Sequence, residues 1–436
     1  TRIVTRVERL EENVVSRADL TEAEIAENPR QSGGNDSSED LSQDAFFVKL
    51  EQLFDSSNLD VSFSYREKDT IGTSRFSGPQ NENDEGINTK ILYRYDFDNS
   101  NLITGFENYT GKQHTLQYAR NDGSLSGPFD TIDSELDINA YFAQYEFRPA
   151  QRLGITLGVR HENIDIESFS DNANDSSGSA SFSDTSPKLG FTYDLSANNR
   201  LWLSVSEGFY APDISDIIGD PSEPATINLG LAPEESTNIE IGLRGSSGSW
   251  SYDTSYYHTE IENYLVTQEF QNGLGQDVER TTNAGQVTIQ GVESVLEYAP
   301  KGAQWRMGFT HTYARNIYDS FVSSDGNFSG NELRRSPKHH FNARVAWLPI
   351  QKLTVELEGD FYSSYFGDNA NSPEGRFTRD ERIHLRIDYA VDSWKFWLHG
   401  LNLTDTLEDR ATFSRGELKF RTIDGRTFYA GAAYQF

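Results

Sequence analysis

Apolar residues recur at every second position along most of this chain. Leu153, Ile155, Leu157 and Val159 alternate with Gly154, Thr156, Gly158 and Arg160, and Ile383, Leu385, Ile387 and Tyr389 alternate with Arg382, His384, Arg386 and Asp388. A period of two marks a β-strand with one apolar face. The second face is charged rather than merely polar, as in Leu353, Val355 and Leu357 against Thr354, Glu356 and Glu358. The pattern persists into the last residues, RTFYAGAAYQF, where Phe428, Ala430, Ala432, Tyr434 and Phe436 share a face. Strand ends in water fray into polar tails. An apolar carboxyl terminus is instead expected at the boundary of a membrane.

The segments between the strands sort by length. Short turns at 55–58, 98–101, 149–152, 196–199, 246–249, 300–302, 349–352 and 391–393 alternate with long Asp/Ser/Asn/Gly stretches such as 168–184 and 319–333. Tight turns on one side and large loops on the other are the asymmetry of an outer-membrane barrel. A soluble β-sandwich also alternates. It needs neither such long strands nor loops sorted in this way. Counting the runs gives about 18 strands, several longer than the roughly 5–6 residues usual in soluble sheets. Residues 12–42 are acidic and read as one long external loop with a helical turn in RADLTEAEIAEN. The expected fold is therefore all-β, an antiparallel transmembrane β-barrel occupying residues 1–436.

Composition agrees with a barrel that is wet inside. Hydrophobic residues make up only 36% of the chain while aromatics reach 12%, which suits a polar lumen and aromatic girdles. No run of about 18 apolar residues exists, so no helix is expected to span a bilayer. The net charge of −30 argues against nucleic-acid binding, which needs basic patches. It implies either simple solubility or an acidic outer surface that meets divalent cations. The chain has no cysteine, so disulfides and thiolate metal sites are excluded.

Catalytic signatures are missing. GSLSG (123–127) and GNFSG (326–330) have the wrong spacing for a nucleophile elbow, and HENID (161–165) lacks the second histidine of a zincin. NENDEG (81–86) suggests a calcium loop, but Leu92 stands where the bidentate glutamate belongs. No enzyme activity, metal or cofactor is expected. The chemistry that remains is binding. His340 shares parity with Lys338, Asn342 and Arg344 on the wet face, and Arg334 just precedes them. Arg382 and His384 lie on the charged face of their strand. Tyr210, Tyr318 and Tyr362 share the parity of the polar faces of theirs. These eight residues are the candidate ligand contacts, with a lumen ion-pair network and loop-packing tyrosines as the plainer readings. A cationic, aromatic mouth suits a flat, anionic or catecholate-like solute.

SPKLGFTYDLSANNRLWLSVSEGFYAPDISDI (186–217), INLGLAPEESTNIEIGLRG (227–245), NAGQVTIQGVESVLEYAP (283–300), NLTD (402–405) and DGRTFYAGAAYQF (424–436) occur in that order. Together they resemble the barrel of TonB-dependent outer-membrane receptors, from about Phe46 onward. The resemblance implies import of a scarce, bulky solute, most often a ferric siderophore, energised by the TonB complex. It also implies a Gram-negative outer membrane, with lipid and lipopolysaccharide around the barrel. Members carry an N-terminal plug domain that contacts TonB and a barrel of about 22 strands. Nothing here resembles the plug, so the sequence is expected to lack it and about four strands. FYAP (209–212) and NLGL (228–231) resemble the boxes that bracket a haem-binding histidine, but no histidine lies between them. Haem is disfavoured; vitamin B12, glycans and a passive porin-like channel stay open.

Overall fold

A computed structural model describes residues 1–34, 36–74, 78–118, 130–171, 177–218, 230–271, 277–323, 326–379, 381–414 and 416–436. GSLSG and most of the segment between FYAP and NLGL lie outside them. The architecture is one 18-stranded sheet. Its strands pair antiparallel in chain order from Arg2–Ser16 to Thr427–Tyr434, external hairpins being skipped. Among the described residues no ladder joins the first of these strands to the last.

Register places the alternating apolar residues of neighbouring strands side by side. Phe46 faces Tyr65, Val48 faces Phe63, Leu157 faces Leu189 and Val159 faces Pro187. This face is uncovered: Val7, Leu157, Val159, Leu357 and Leu398 are all exposed. A water-soluble sheet could not leave so large an apolar face open, whereas lipid covers it. Aromatic pairs cluster where the short turns lie. Trp305 stacks on Trp347 at 5.8 Å, Trp250 meets Tyr298 at 4.6 Å and Trp394 meets Tyr434 at 5.0 Å. They form the girdle of one membrane interface. The turns beside them close through left-handed residues, Gly248 (φ 61°), Gly302 (φ 73°), Lys352 (φ 67°) and Asp392 (φ 50°).

The wall is uneven in height. Six consecutive strands from Ser57–Ser74 to Gly178–Ser196 hold 18 to 21 residues each, while the last five hold 8 to 10. A strand of about 18 residues tilted by about 45° rises roughly 40 Å, well beyond an apolar band of about 25 Å. Buried apolar clusters lie mainly in the loops. Leu20, Ile25, Tyr365, Phe377, Ala411 and Phe420 form one. A second gathers Val266, Val287, Tyr318 and Phe321.

Two expectations change. Residues 12–42 are not one loop: strands run through Ser16 and resume at Ser37. Only the middle is loop, with a helix at Glu22–Glu27 started by a capping box from Thr21 and Glu24. Acid-rich strand ends standing above the membrane have no apolar alternation to announce them. NENDEG is part of the strand Gly78–Asp96, so its side chains point alternately to opposite faces and cannot encircle an ion. The short hairpins Leu265–Gln271/Asp277–Asn283 and Glu408–Ser414/Glu417–Thr422 are additional to the expected strands.

The NLTD motif has a structural role. Asn402 is buried and left-handed (φ 50°), its amide donates to the carbonyls of Thr406 (2.7 Å) and Asp424 (3.0 Å), and its Oδ1 accepts from Thr406 N (3.1 Å). Replacing it by alanine leaves these buried partners unpaired and strains the backbone. A loss of about 2–4 kcal/mol is expected, measured as a lowered unfolding temperature in detergent. Asn402→Gly relieves only the backbone part and should lose less.

Candidate functional site at the barrel mouth

The strands His339–Trp347, Leu353–Tyr362 and Arg382–Val391 lie side by side on the short part of the wall. Their registers set His340 opposite Tyr362, Asn342 opposite Asp360, and Arg344 opposite Glu358. On the next ladder Asp360 faces Arg382, Glu358 faces His384 and Glu356 faces Arg386. All these residues share the charged face, which is the inner one because the other carries the apolar band.

The centre of the patch is a three-layer stack. The His340 ring lies on Tyr362 at 4.0 Å and 6°, and the Arg379 guanidinium lies 3.9 Å from the centre of the Tyr362 ring. Asp360 ties the layers together, meeting His340 Nε2 at 2.7 Å through Oδ1 and accepting from Arg379 at 2.6 Å through Oδ2. The Arg379 side chain is only 6% exposed, so its charge is held by this carboxylate and by Asp409 at 3.8 Å. Arg382 donates to Asp409 at 2.6 Å. Among the described residues, Nε of Arg379 and of Arg382 is buried without a hydrogen-bond acceptor. Deeper along the same face, Arg386 is paired with Glu358 and Glu356. His384 Nδ1 accepts from Asn402 N at 3.2 Å, which fixes its ring.

A cavity of about 760 Å³ adjoins the patch, lined among others by Arg382, His384, Arg17, Arg30, Arg421 and Tyr429. Its volume falls in the range of small-molecule sites, about 300–1,000 Å³. Four arginines and one histidine around it stand out in a chain of net charge −30.

Of the eight residues singled out in the sequence, the structure brings four together: His340, Tyr362, Arg382 and His384. Lys338 and Arg334 lie on the segment leading to that patch, with Lys338 paired to Glu332 at 2.5 Å. Tyr210 is 54% exposed, but it stands several strands away, with Glu234 as its cross-strand neighbour. Tyr318 must be corrected. Its side chain is buried in a loop cluster with Phe321 and Val287, and its hydroxyl donates to Asn369 at 2.9 Å. It packs the loops and presents no surface to a ligand. Arg379 and Asp409 were not expected: Arg379 sits in an irregular segment, and Asp409 at the register shift of the short strand Glu408–Ser414, where parity gives no direction. The cation-rich run from Arg379 to Arg386 was the available signal.

The family is set by the sequence profile described as TonB dependent receptor-like, beta-barrel, which matches residues 12–405. The chain belongs to that family. The match begins well before Phe46 and takes in the end of the first strand and the whole of the second. An iron-regulated outer membrane virulence protein of Vibrio cholerae is 26% identical over 245 residues, covering 52% of this chain and 34% of that protein. The vitamin B12 transporter BtuB of Photobacterium profundum is 23% identical over 257 residues, covering 57% and 37%. The aligned part of the chain thus spans about a third of the length of these relatives. Among solved structures, the ferric citrate transporter FecA has a TM-score of 0.75 at 18% identity, covering 98% of this chain and 67% of that one. The ferric yersiniabactin uptake receptor FyuA of Yersinia pestis gives 0.74 at 14%, with 99% and 67% coverage. At these identities the likeness is one of fold. The family is one of outer-membrane receptors and transporters rather than an enzyme class.

Proposed function

We propose that this barrel binds an anionic iron complex at its mouth and passes it inward, with energy from the TonB system of a Gram-negative outer membrane. The observation that carries this reading is the stacked Arg379–Tyr362–His340 patch beside an arginine-lined cavity. Guanidinium groups bind carboxylates and phenolates through paired, charge-assisted hydrogen bonds, and the half-exposed His340 ring that ends the stack offers a flat surface to a planar ligand. The barrel of such a receptor performs no covalent chemistry. Its affinity for the solute differs between the closed and open states, and the partner supplies the work. We further propose that a lumen-filling domain and additional strands complete the native protein. The absence of a ladder between Arg2–Ser16 and Thr427–Tyr434 and the short coverage of the relatives support this.

Quenching of intrinsic tryptophan fluorescence by ferric carboxylate, hydroxamate and catecholate complexes tests the reading. One class is expected to bind saturably, and its iron-free form much more weakly. Arg382→Gln and His340→Gln should each weaken binding about 10- to 100-fold, as expected for one charge-assisted bond of about 1.5–3 kcal/mol. Absence of saturable binding by every complex, together with steady conductance in planar bilayers, would instead identify a passive channel.

A further inference from the structure

The hairpin Glu408–Ser414/Glu417–Thr422 is tied to the inner-wall patch by Asp409, which pairs with Arg382 and Arg379, and it has two unlike faces. Ala411, Phe413, Leu418 and Phe420 share one, and Ala411 and Phe420 are buried in the loop cluster that also holds Leu20, Tyr365 and Phe377. The opposite face carries Arg410, Thr412, Lys419 and Arg421, with Glu417 at the turn end beside Ser414. Register sets Arg410 directly against Arg421 and Thr412 against Lys419. Like charges facing each other across two strands repel. A further cation is brought onto the same face, because the Arg335 guanidinium donates to Thr412 Oγ1.

Arg335 reaches this place through a fixed backbone. Its φ is 59°, the left-handed region that side chains other than glycine seldom adopt. Its N–H donates to the carbonyl of Phe366 at 2.8 Å. The neighbouring arginines are neutralised: Arg421 by Asp19, Arg382 by Asp409, and Arg379 by Asp360. Arg334, Arg335 and Arg410 differ. Among the described residues none of the three has a carboxylate within ion-pair distance. Partial burial, with Arg334 and Arg410 nearby, lowers the Arg335 guanidinium below its ordinary value. Acidic residues outnumber basic ones by 68 to 38 in this chain. Asp19 offsets part of this repulsion at Arg335 from beyond ion-pair distance, but three gathered cations with no carboxylate in direct contact still represent an electrostatic cost that an anionic ligand would reduce.

We propose that this face of the hairpin is an oxyanion-binding surface, on which Arg335 and Arg410 grip a ligand carrying at least two phosphate or carboxylate groups. Thr412 is placed between them as a hydroxyl partner, and Lys419 and Arg421 extend the positive field along the hairpin. The surface borders the cavity of the inner-wall site, which Arg421 also lines, but Arg335 and Arg410 lie outside that lining, and it does not depend on iron. Its ligand is a soluble multivalent anion or the phosphate of a neighbouring anionic lipid, and the two sources can be separated.

Calorimetric titration of the detergent-solubilised full chain with inorganic pyrophosphate and with citrate, at low ionic strength, tests the proposal. Binding should weaken at least tenfold in the double variant Arg335→Gln, Arg410→Gln. It should be retained in part by Arg335→Lys, Arg410→Lys, which keeps the charges but loses the planar fork. Lys301→Gln, in a short turn at the opposite end of the wall, is the charge control and should bind as the parent does. Equal affinity in the parent and the glutamine double variant overturns the proposal, as does an equal loss in the Lys301 control. Repeating the titration in vesicles with and without phosphatidylglycerol separates the sources. Pyrophosphate affinity reduced only in the anionic vesicles identifies lipid phosphate as the occupant, and unchanged affinity identifies a soluble anion.

Discussion

Arg379→Ala is expected to be among the most damaging single substitutions in the mouth. The side chain is 6% exposed, pairs with Asp360 at 2.6 Å and covers Tyr362 at 3.9 Å. Removing one partner of a buried ion pair leaves the other charge buried and uncompensated, at about 3–5 kcal/mol. Asp360 would keep only His340, and the Tyr362 ring would lose its cationic cover. Two readouts should therefore move together: the unfolding midpoint falls, and affinity for the iron complex falls by two orders of magnitude or more. Arg379→Lys separates them. A lysine preserves the charge opposite Asp360, so much of the stability should return. It lacks the planar group that stacks on Tyr362, so affinity should recover less. Full recovery of affinity by lysine would show that charge alone matters and would remove the stack from the recognition mechanism.

Val159→Arg tests the barrel itself. Val159 lies on the outer face, 45% exposed, midway up the apolar band of the strand Leu153–Ser170. An arginine near the bilayer midplane of a barrel costs about 2–4 kcal/mol. On the adjacent strand Gln144 points the other way, into the lumen, and Gln144→Arg should cost little because water and acidic neighbours such as Glu146 accommodate it. The comparison is made by denaturant titration of both variants folded into the same lipid vesicles. Similar costs at the two positions would mean that the two faces meet similar surroundings, which contradicts a membrane wall.

How far the sequence could be read followed from how local each cause is. The side-chain period of two is a property of the extended backbone. Runs such as Leu153–Val159 and Ile383–Tyr389 therefore declared their strand, and their lipid-facing side, without reference to any partner. Turn lengths were equally legible, since a tight turn needs left-handed residues such as those at Gly248 and Gly302. The strand pair Arg2–Ser16 and Ser37–Leu53 was partly missed for the converse reason. Its upper half stands clear of the membrane, where both faces are polar and no alternation remains.

The candidate site divides in the same way. Parity alone put His340, Tyr362, Arg382 and His384 on one inner face, because they belong to strands whose faces the sequence prescribes. Parity could not tell that Tyr318 is sealed under Phe321, since burial of a loop-end residue depends on which loops fold over it. Nor could it place Arg379, which lies in an irregular segment, or Asp409, at the register shift of a loop hairpin. What the sequence determined by itself was the alternation, and with it the strands, the two faces and the sorting of the loops, because each depends on backbone geometry within a few residues. Only the tertiary structure decided which inner-face charges meet, which tyrosine stays open and which arginines, among the described residues, have no ion-paired carboxylate. Those outcomes depend on cross-strand register and on contacts between loops far apart in the chain, such as Leu20 bonded to Phe420.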